Sequence, residues 1–210
     1  MTDATADAER ARKLFAGACD FVWGASSVDN LPPATHPEVA FVGRSNAGKS
    51  SLLNALTGRK ALARVSHTPG RTRQINFFNL GGRLVLADLP GYGYAKASKS
   101  LADEWQSLIF AYLRGRTNLR RVAVLIDARR GAMDTDQQAM KLLDQAAVSY
   151  VLVLTKLDQL KGPERMNAEA RIAEEAKKHT AAYPEVFATS SLKGLGLDAL
   201  RTHVAALAAY

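Results

Sequence analysis

The chain has 210 residues, 47% of them apolar and 23% charged, and carries a formal net charge of +8. That length and apolar content suit one α/β domain with a full-sized core. No apolar run approaches the ~20 residues that a membrane span needs, and a single cysteine, Cys19, excludes an intrachain disulfide or a multi-cysteine zinc site.

Met1 to Arg10 is polar and contains acids, without the apolar stretch of a signal peptide or the Arg-rich pattern of a transit peptide, so a cytoplasmic protein is expected. Residues 1–20 read as an Ala-rich N-terminal extension, partly disordered or helical, and residues 21–210 as the domain proper. Cys19, among Phe15, Phe21, Val22 and Trp23, reads as a small core residue. Phe21-Val22-Trp23 suits an added edge strand, and Leu31 to Pro37 is a Pro-rich connector. The apolar run Val39-Ala40-Phe41-Val42 then predicts a buried strand over 39–43.

Gly43-Arg44-Ser45-Asn46-Ala47-Gly48-Lys49-Ser50 follows that strand and fits G-x-x-x-x-G-K-[ST], the phosphate-binding loop. Ser51-Leu52-Leu53-Asn54-Ala55-Leu56 predicts the helix that must come next, closed by Gly58. In this strand–loop–helix setting backbone N–H groups wrap a polyphosphate and the helix adds its positive end. The phosphate-binding stretch runs through Ser51. Lys49 is expected at the β- and γ-phosphates and Ser50 on magnesium. Downstream, Thr68-Pro69-Gly70-Arg71-Thr72 supplies a switch segment before a strand over 73–80. Gly70, Arg71 and Thr72 are assigned to the phosphates and Thr72 also to magnesium, with Thr68 the competing threonine. Gly81-Gly82 predicts a hairpin into a strand over 83–88. Its end, Asp88-Leu89-Pro90-Gly91, is a D-x-x-G element, with Asp88 on magnesium through water and the Gly91 N–H sensing the γ-phosphate. Gly91 to Lys96 is glycine-rich and reads as a second switch.

A capping box at Ser100 to Asp103 opens a helix whose Leu101, Trp105, Leu108, Ile109 and Tyr112 recur at core-facing spacing. Strands are predicted at 121–127, 148–155 and 185–189. Helices are predicted from Asp134, around Glu164–Lys178 as a mostly exposed one, and from Asp198 with Leu200, Val204 and Leu207 inward. Thr155-Lys156-Leu157-Asp158 fits the [NT]-K-x-D element of guanine-nucleotide proteins. A carboxylate at Asp158 can accept from guanine N1–H and the N2 amine, donors that adenine lacks, while the Lys156 stem lies along base and ribose. Ser190-Ser191-Leu192-Lys193-Gly194 is similar to the loop whose backbone N–H meets guanine O6.

The segments Gly43–Ser50, Thr68–Phe78 and Asp88–Ala95 together resemble the EngB (YihA/YsxC) family of ribosome-biogenesis GTP-binding proteins, over about Phe21 to the C-terminus. The resemblance implies an α/β, Ras-like P-loop GTPase fold: a mostly parallel central sheet with one antiparallel strand and helices on both faces. It also implies magnesium dependence, GTP and GDP as ligands, and a monomer acting in late assembly of the large ribosomal subunit. Asn46 stands where potassium-activated GTPases carry an asparagine, so either a potassium ligand or a residue stabilising the loop turn is expected there.

Val39 to Ala87 contains no acid but eight cations, Arg44, Lys49, Arg59, Lys60, Arg64, Arg71, Arg73 and Arg83. A second cluster is Arg114, Arg116, Arg120, Arg121, Arg129 and Arg130. Such clusters are either solvated faces or sites for a polyanion, and here ribosomal RNA, recognised by backbone and shape, is the natural partner. Tyr92 occupies the position where many GTPases place a water-orienting Gln, and Arg71 or Arg73 suits either an internal finger or an RNA contact. No catalytic residue is assigned, and a slow GTPase is expected. The competing readings are a signalling GTPase that acts through protein partners and a nucleotide-binding protein that does not hydrolyse.

Overall fold

The computed structural model describes residues 3–62, 74–92 and 99–209, with Asp3 and residues 99–106 described for the backbone alone. The strands are β1 Cys19–Ala25, β2 Glu38–Gly43, β3 Ile75–Leu80, β4 Leu84–Asp88, β5 Leu119–Asp127, β6 Tyr150–Thr155 and β7 Ala182–Ala188. The helices are α1 Asp3–Ala16, α2 Lys49–Thr57, α3 Lys99–Gly115, α4 Asp134–Gln145, α5 Gly162–Ala176 and α6 Leu197–Ala205. All the strands join one sheet in the order β1-β3-β4-β2-β5-β6-β7. Only β3 runs against the others, antiparallel to both β1 and β4. The Gly81-Gly82 hairpin causes this reversal. Both glycines take positive φ, 61° and 66°, and Gly82 N–H donates to Asn79 Oδ1 at 2.8 Å.

Strand alternation divides the core. Along β5, Val122, Val124 and Ile126 face one side with α3, α4 and α5, while Ala123 and Leu125 face the other with α1, α2 and α6. Helix α1 docks by Ala11, Leu14 and Phe15. Leu108, Ile109 and Tyr112 of the predicted α3 stripe are buried, as is Cys19. Helix α5 is mostly exposed, as its Ala-and-charge composition predicts, and touches the core through a narrow seam of Ala168, Ile172 and Ala176. The parallel register brings strand ends together, with Gly43 beside Leu125, Asp88 beside Phe41 and Asp127 beside Thr155. The carboxyl edge of such a sheet is where ligands gather in α/β folds.

The second arginine cluster does not form one surface. Arg116 is 8% exposed and grips Glu38 through Nε and Nη2, with Nη1 donating to Pro32 O at 2.7 Å. Tyr112 Oη also donates to Glu38, at 2.9 Å, so the buried carboxylate is fully engaged and fastens the Pro-rich connector to the core. Arg121 lies 4.2 Å over the Tyr183 ring, and Arg129 is paired with Asp127. Arg114, Arg120 and Arg130 remain exposed. Sequence proximity gathered these cations, but the partners of Arg116 and Arg121 lie on distant elements.

His203 of α6 sits between Tyr183 and Phe187, and Arg121 Nη1 donates to its Nε2 at 3.0 Å. Burial, and then the Arg121 charge, lower its pKa from 6.5 to about 4. The unfolded chain therefore binds more protons than the native one between those values, and stability is lost as pH falls from about 6.5 to 4. Discounting the full linkage value for residual solvent contact leaves about 2 kcal/mol. Thermal melts should show this acid loss, and His203→Gln should flatten it.

Candidate functional site

The loop from Gly43 to Ser50 turns the chain from β2 into α2 through two left-handed residues, Asn46 at φ 65° and Gly48 at φ 90°. Asn tolerates this region better than most side chains, and Gly48, which caps α2, occupies it without a Cβ penalty. The first-turn N–H groups of α2 thus open onto the loop, where the helix has no acceptor of its own. The loop is braced from the β4 side: Ser45 N–H donates to Tyr92 O, and Tyr92 N–H to Gly43 O, both at 3.2 Å. That approach needs Gly91, since a Cβ there would lie 3.0 Å from Gly43 O.

Lys49 Nζ donates to Asp88 Oδ1, and both side chains are largely buried. Burial lowers the Lys49 ammonium to about 7. Ser50 follows Lys49 in the first turn of α2, so a hydroxyl, an ammonium and the strand-end carboxylate of Asp88 surround the loop.

The Thr155–Asp158 segment is tied directly to this loop. Thr155 Oγ1 donates to Ala47 O at 2.6 Å, and Lys156 Nζ donates to Asn46 O at 2.6 Å and to Asp127 Oδ2 at 3.0 Å. Lys156 itself is left-handed, with φ 59°. Asp127 is the residue that sequence reasoning missed; its signal was an acid ending an apolar run. Burial alone would raise its carboxyl, but hydrogen bonds from Arg129 and Lys156 outweigh that and hold it well below the usual carboxylate range. Asp158 Oδ1 accepts from Ser190 Oγ, and Oδ2 accepts from Gln159 Nε2 at 3.1 Å. The Ser190 hydroxyl thereby lowers the Asp158 pKa. Ser190 is fully buried and its Oγ also accepts from Lys193 N–H at 3.1 Å, so its side chain orients Asp158 and closes its own loop. Ser191 is half-buried beside it, and Leu192 is exposed.

Tyr92 turns inward. It is 8% exposed, and its hydroxyl donates to Asp136 Oδ1 at 2.8 Å, while Asp136 Oδ2 accepts Met133 N–H at the start of α4. Burial, followed by the Asp136 charge, pushes the phenol well above its ordinary pKa, so Tyr92 is no base here. A cleft of about 210 Å³ lies between the loop and this corner, lined by Arg44, Asn46, Asp127, Arg129, Asp136 and Lys156. Gly70, Arg71, Thr72 and the competing Thr68 lie outside the described residues, as do residues 93–96 of the second switch.

Sheet order, phosphate-type loop and base-type segment together define a P-loop GTPase. Residues 38–156 match the family model described as 50S ribosome-binding GTPase. The chain is 55% identical over 97% of its length to the probable GTP-binding protein EngB of Gluconobacter oxydans, covering 89% of that protein. It is 54% identical to that of Rhodospirillum rubrum, over 95% of this chain and 89% of the other. A crystal structure of a probable GTP-binding protein engB aligns with TM-score 0.65 at 21% identity, over 81% of this chain and 97% of that one. Era in complex with MgGDPNP and nucleotides 1506–1542 of 16S ribosomal RNA aligns with TM-score 0.66 at 27% identity, over 83% of this chain and 57% of Era. The chain belongs to the EngB family of GTP-binding proteins.

Proposed function

We propose that this protein is a GTP-driven switch in late assembly of the large ribosomal subunit, hydrolysing GTP slowly and binding ribosomal RNA or precursor particles in one nucleotide state. The observation that carries the nucleotide assignment is the pair of hydrogen bonds from Thr155 and Lys156 to the Ala47 and Asn46 carbonyls, which lock the base-type segment to the phosphate-type loop. In this reading residues Gly43 to Ser51, with Gly70, Arg71, Thr72 and Gly91, hold the phosphates. Thr155, Lys156, Asp158, Ser190, Ser191 and Leu192 surround guanine. The domain proper is 21–210, with residues 1–20 as an extension, and the protein works as a cytoplasmic monomer.

Magnesium fits the donors present. Ser50 and Asp88 offer a hydroxyl and a carboxylate beside the loop, and Thr72 is assigned with them. Among the described residues no cluster of three His, Cys, Asp or Glu could cage a metal, which suits an ion completed by phosphate oxygens and water. Bound there, the ion supplies charge neutralisation on the β- and γ-phosphate oxygens. Lys49 would exchange Asp88 for those phosphates, freeing the carboxylate for the metal's shell. Tyr92 is committed to Asp136, so its phenol is not free to orient the attacking water, which supports slow turnover. Potassium beside Asn46 could add charge, although the residue's left-handed backbone already accounts for an asparagine there.

The ribosomal part rests on the family and on charge. Arg59 and Lys60 are exposed at the end of α2, within the stretch that has no acids. If about five phosphates are neutralised, the logarithmic salt slope of particle binding should be roughly −3.5 to −4.5. The test is co-sedimentation with large-subunit particles in a GTP analogue, in GDP and without nucleotide. Binding should be tightest with the analogue. Reversing Arg59, Lys60 and Arg64 to Glu should remove most of it while GTP affinity changes little. Particle binding indifferent to both salt and nucleotide would instead favour a protein-only partner.

A further inference from the structure

We infer that the outer edge of β1 is a stacking platform for unpaired RNA bases, with Phe21 and Trp23 as its rings and Arg59 and Lys60 taking the adjoining phosphates. This deepens the ribosomal reading above and rests on it. Among the described residues nothing pairs with the outer side of β1, yet it carries three successive large apolar side chains: Phe21, Val22 and Trp23 are 57%, 45% and 47% exposed. Edges of this kind are normally blunted or covered.

The two rings are held in place. Phe21 meets Phe78 edge-on with centroids 5.9 Å apart, and Trp23 Nε1–H donates to Asn30 O at 2.7 Å. The register shift between them turns Phe21 to the α2 side of the sheet and Trp23 to the other, opposite Phe77. Rings therefore flank both sides of the edge, as a wrapping single strand would use them. The same bulge interrupts the free ladder of N–H and C=O groups, which disfavours an added protein strand. Charge agrees on the Phe21 side. Arg59 Nη2 reaches Gly17 O at the turn leading into β1, and Lys60 is exposed next to it. Asp20 shares the side of Trp23, so phosphates are placed on the α2 side.

The platform is also linked to the nucleotide site. Gly24 packs against Gln74, two residues beyond Thr72 of the first switch, so closely that a Cβ would lie 2.7 Å from Gln74 Oε1. Gly24 pairs with Asn76, and Asn76 with Asp88.

In a Trp105→Phe protein Trp23 is the single tryptophan. With a GTP analogue bound, a 12-nucleotide oligouridylate should quench its emission and bind more tightly than a duplex RNA of equal length. Phe21→Ala and Trp23→Leu should each weaken oligonucleotide and large-subunit particle binding by roughly 5- to 150-fold. Melting of the GDP-bound variants reports whether the fold is intact, and Trp23→Leu keeps apolar bulk at the edge. Absent quenching, equal binding of duplex, or particle binding by folded Phe21→Ala at the wild-type level would overturn the platform. Loss of particle binding alone, with oligonucleotide binding unchanged, would also overturn it in favour of a protein contact. If wild-type protein binds no particles in any nucleotide state, the ribosomal reading fails separately, and the quenching experiment still decides whether the edge takes bases.

Discussion

Asp158→Asn should lower GTP affinity by roughly 100- to 10,000-fold and shift preference to xanthosine triphosphate. Two hydrogen bonds from guanine to a carboxylate are at stake, each contributing roughly 1.5–3 kcal/mol. The carboxylate is already oriented, with Ser190 on Oδ1 and Gln159 on Oδ2, so little rearrangement accompanies base binding. In the variant Ser190 still donates to Oδ1, while the new amide donates to the C2 carbonyl of xanthine once Gln159 rotates its own amide. Ser190→Ala should cost less, on the order of tenfold, because it loosens Asp158 without removing it. Competition by ATP, GTP and xanthosine triphosphate for a fluorescent nucleotide measures all three proteins. ATP bound by the wild type as tightly as GTP would refute the base-site assignment.

Lys49→Ala should weaken nucleotide binding by about 2–5 kcal/mol, the usual effect of truncating one partner of a buried charge pair. The fold should survive with native-like circular dichroism in GDP, but the nucleotide-free protein should melt earlier. Asp88 is 6% exposed and would lose the ammonium that faces it. Ser50→Ala separates charge from metal ligation: it leaves the Lys49–Asp88 contact in place and should abolish the magnesium dependence of hydrolysis. Normal magnesium-dependent turnover in that variant would count against Ser50 as a ligand.

Local chemistry made much of this molecule readable in advance. Gly43 to Ser50 declared a strand–loop–helix because every residue type served the same turn, and Gly81-Gly82 declared the hairpin that reverses β3. Phe21-Val22-Trp23 was legible as an edge strand, though its start at Cys19 was not, since Cys19 and Asp20 carry no clear alternation. Long-range partners were the unreadable part. The amphipathic spacing of α1 marks a buried face without naming α6 as its neighbour. Tyr92 meets Asp136 across 44 positions, and Arg116 meets Glu38 across 78. An arginine that neutralises a buried glutamate looks, in sequence, the same as one that awaits a phosphate. The roles of Gly70, Arg71 and Thr72 stand on the residue pattern alone.

The position of α1 against α6 has a consequence for biogenesis of the protein itself. Ala11, Leu14 and Phe15 are made about 190 residues ahead of the helix that covers them with Leu200 and Val204. At ordinary synthesis rates that gap is roughly 10–40 s. β1 waits as well, because its ladder partner β3 begins at Ile75. The aromatic strand thus waits about 50 residues for its ladder partner and the amino-terminal helix about 190 for α6, so closure of the α1 side follows assembly of the sheet. A nascent chain halted before α6 should therefore leave α1 open to protease after β1 to β5 have already become resistant.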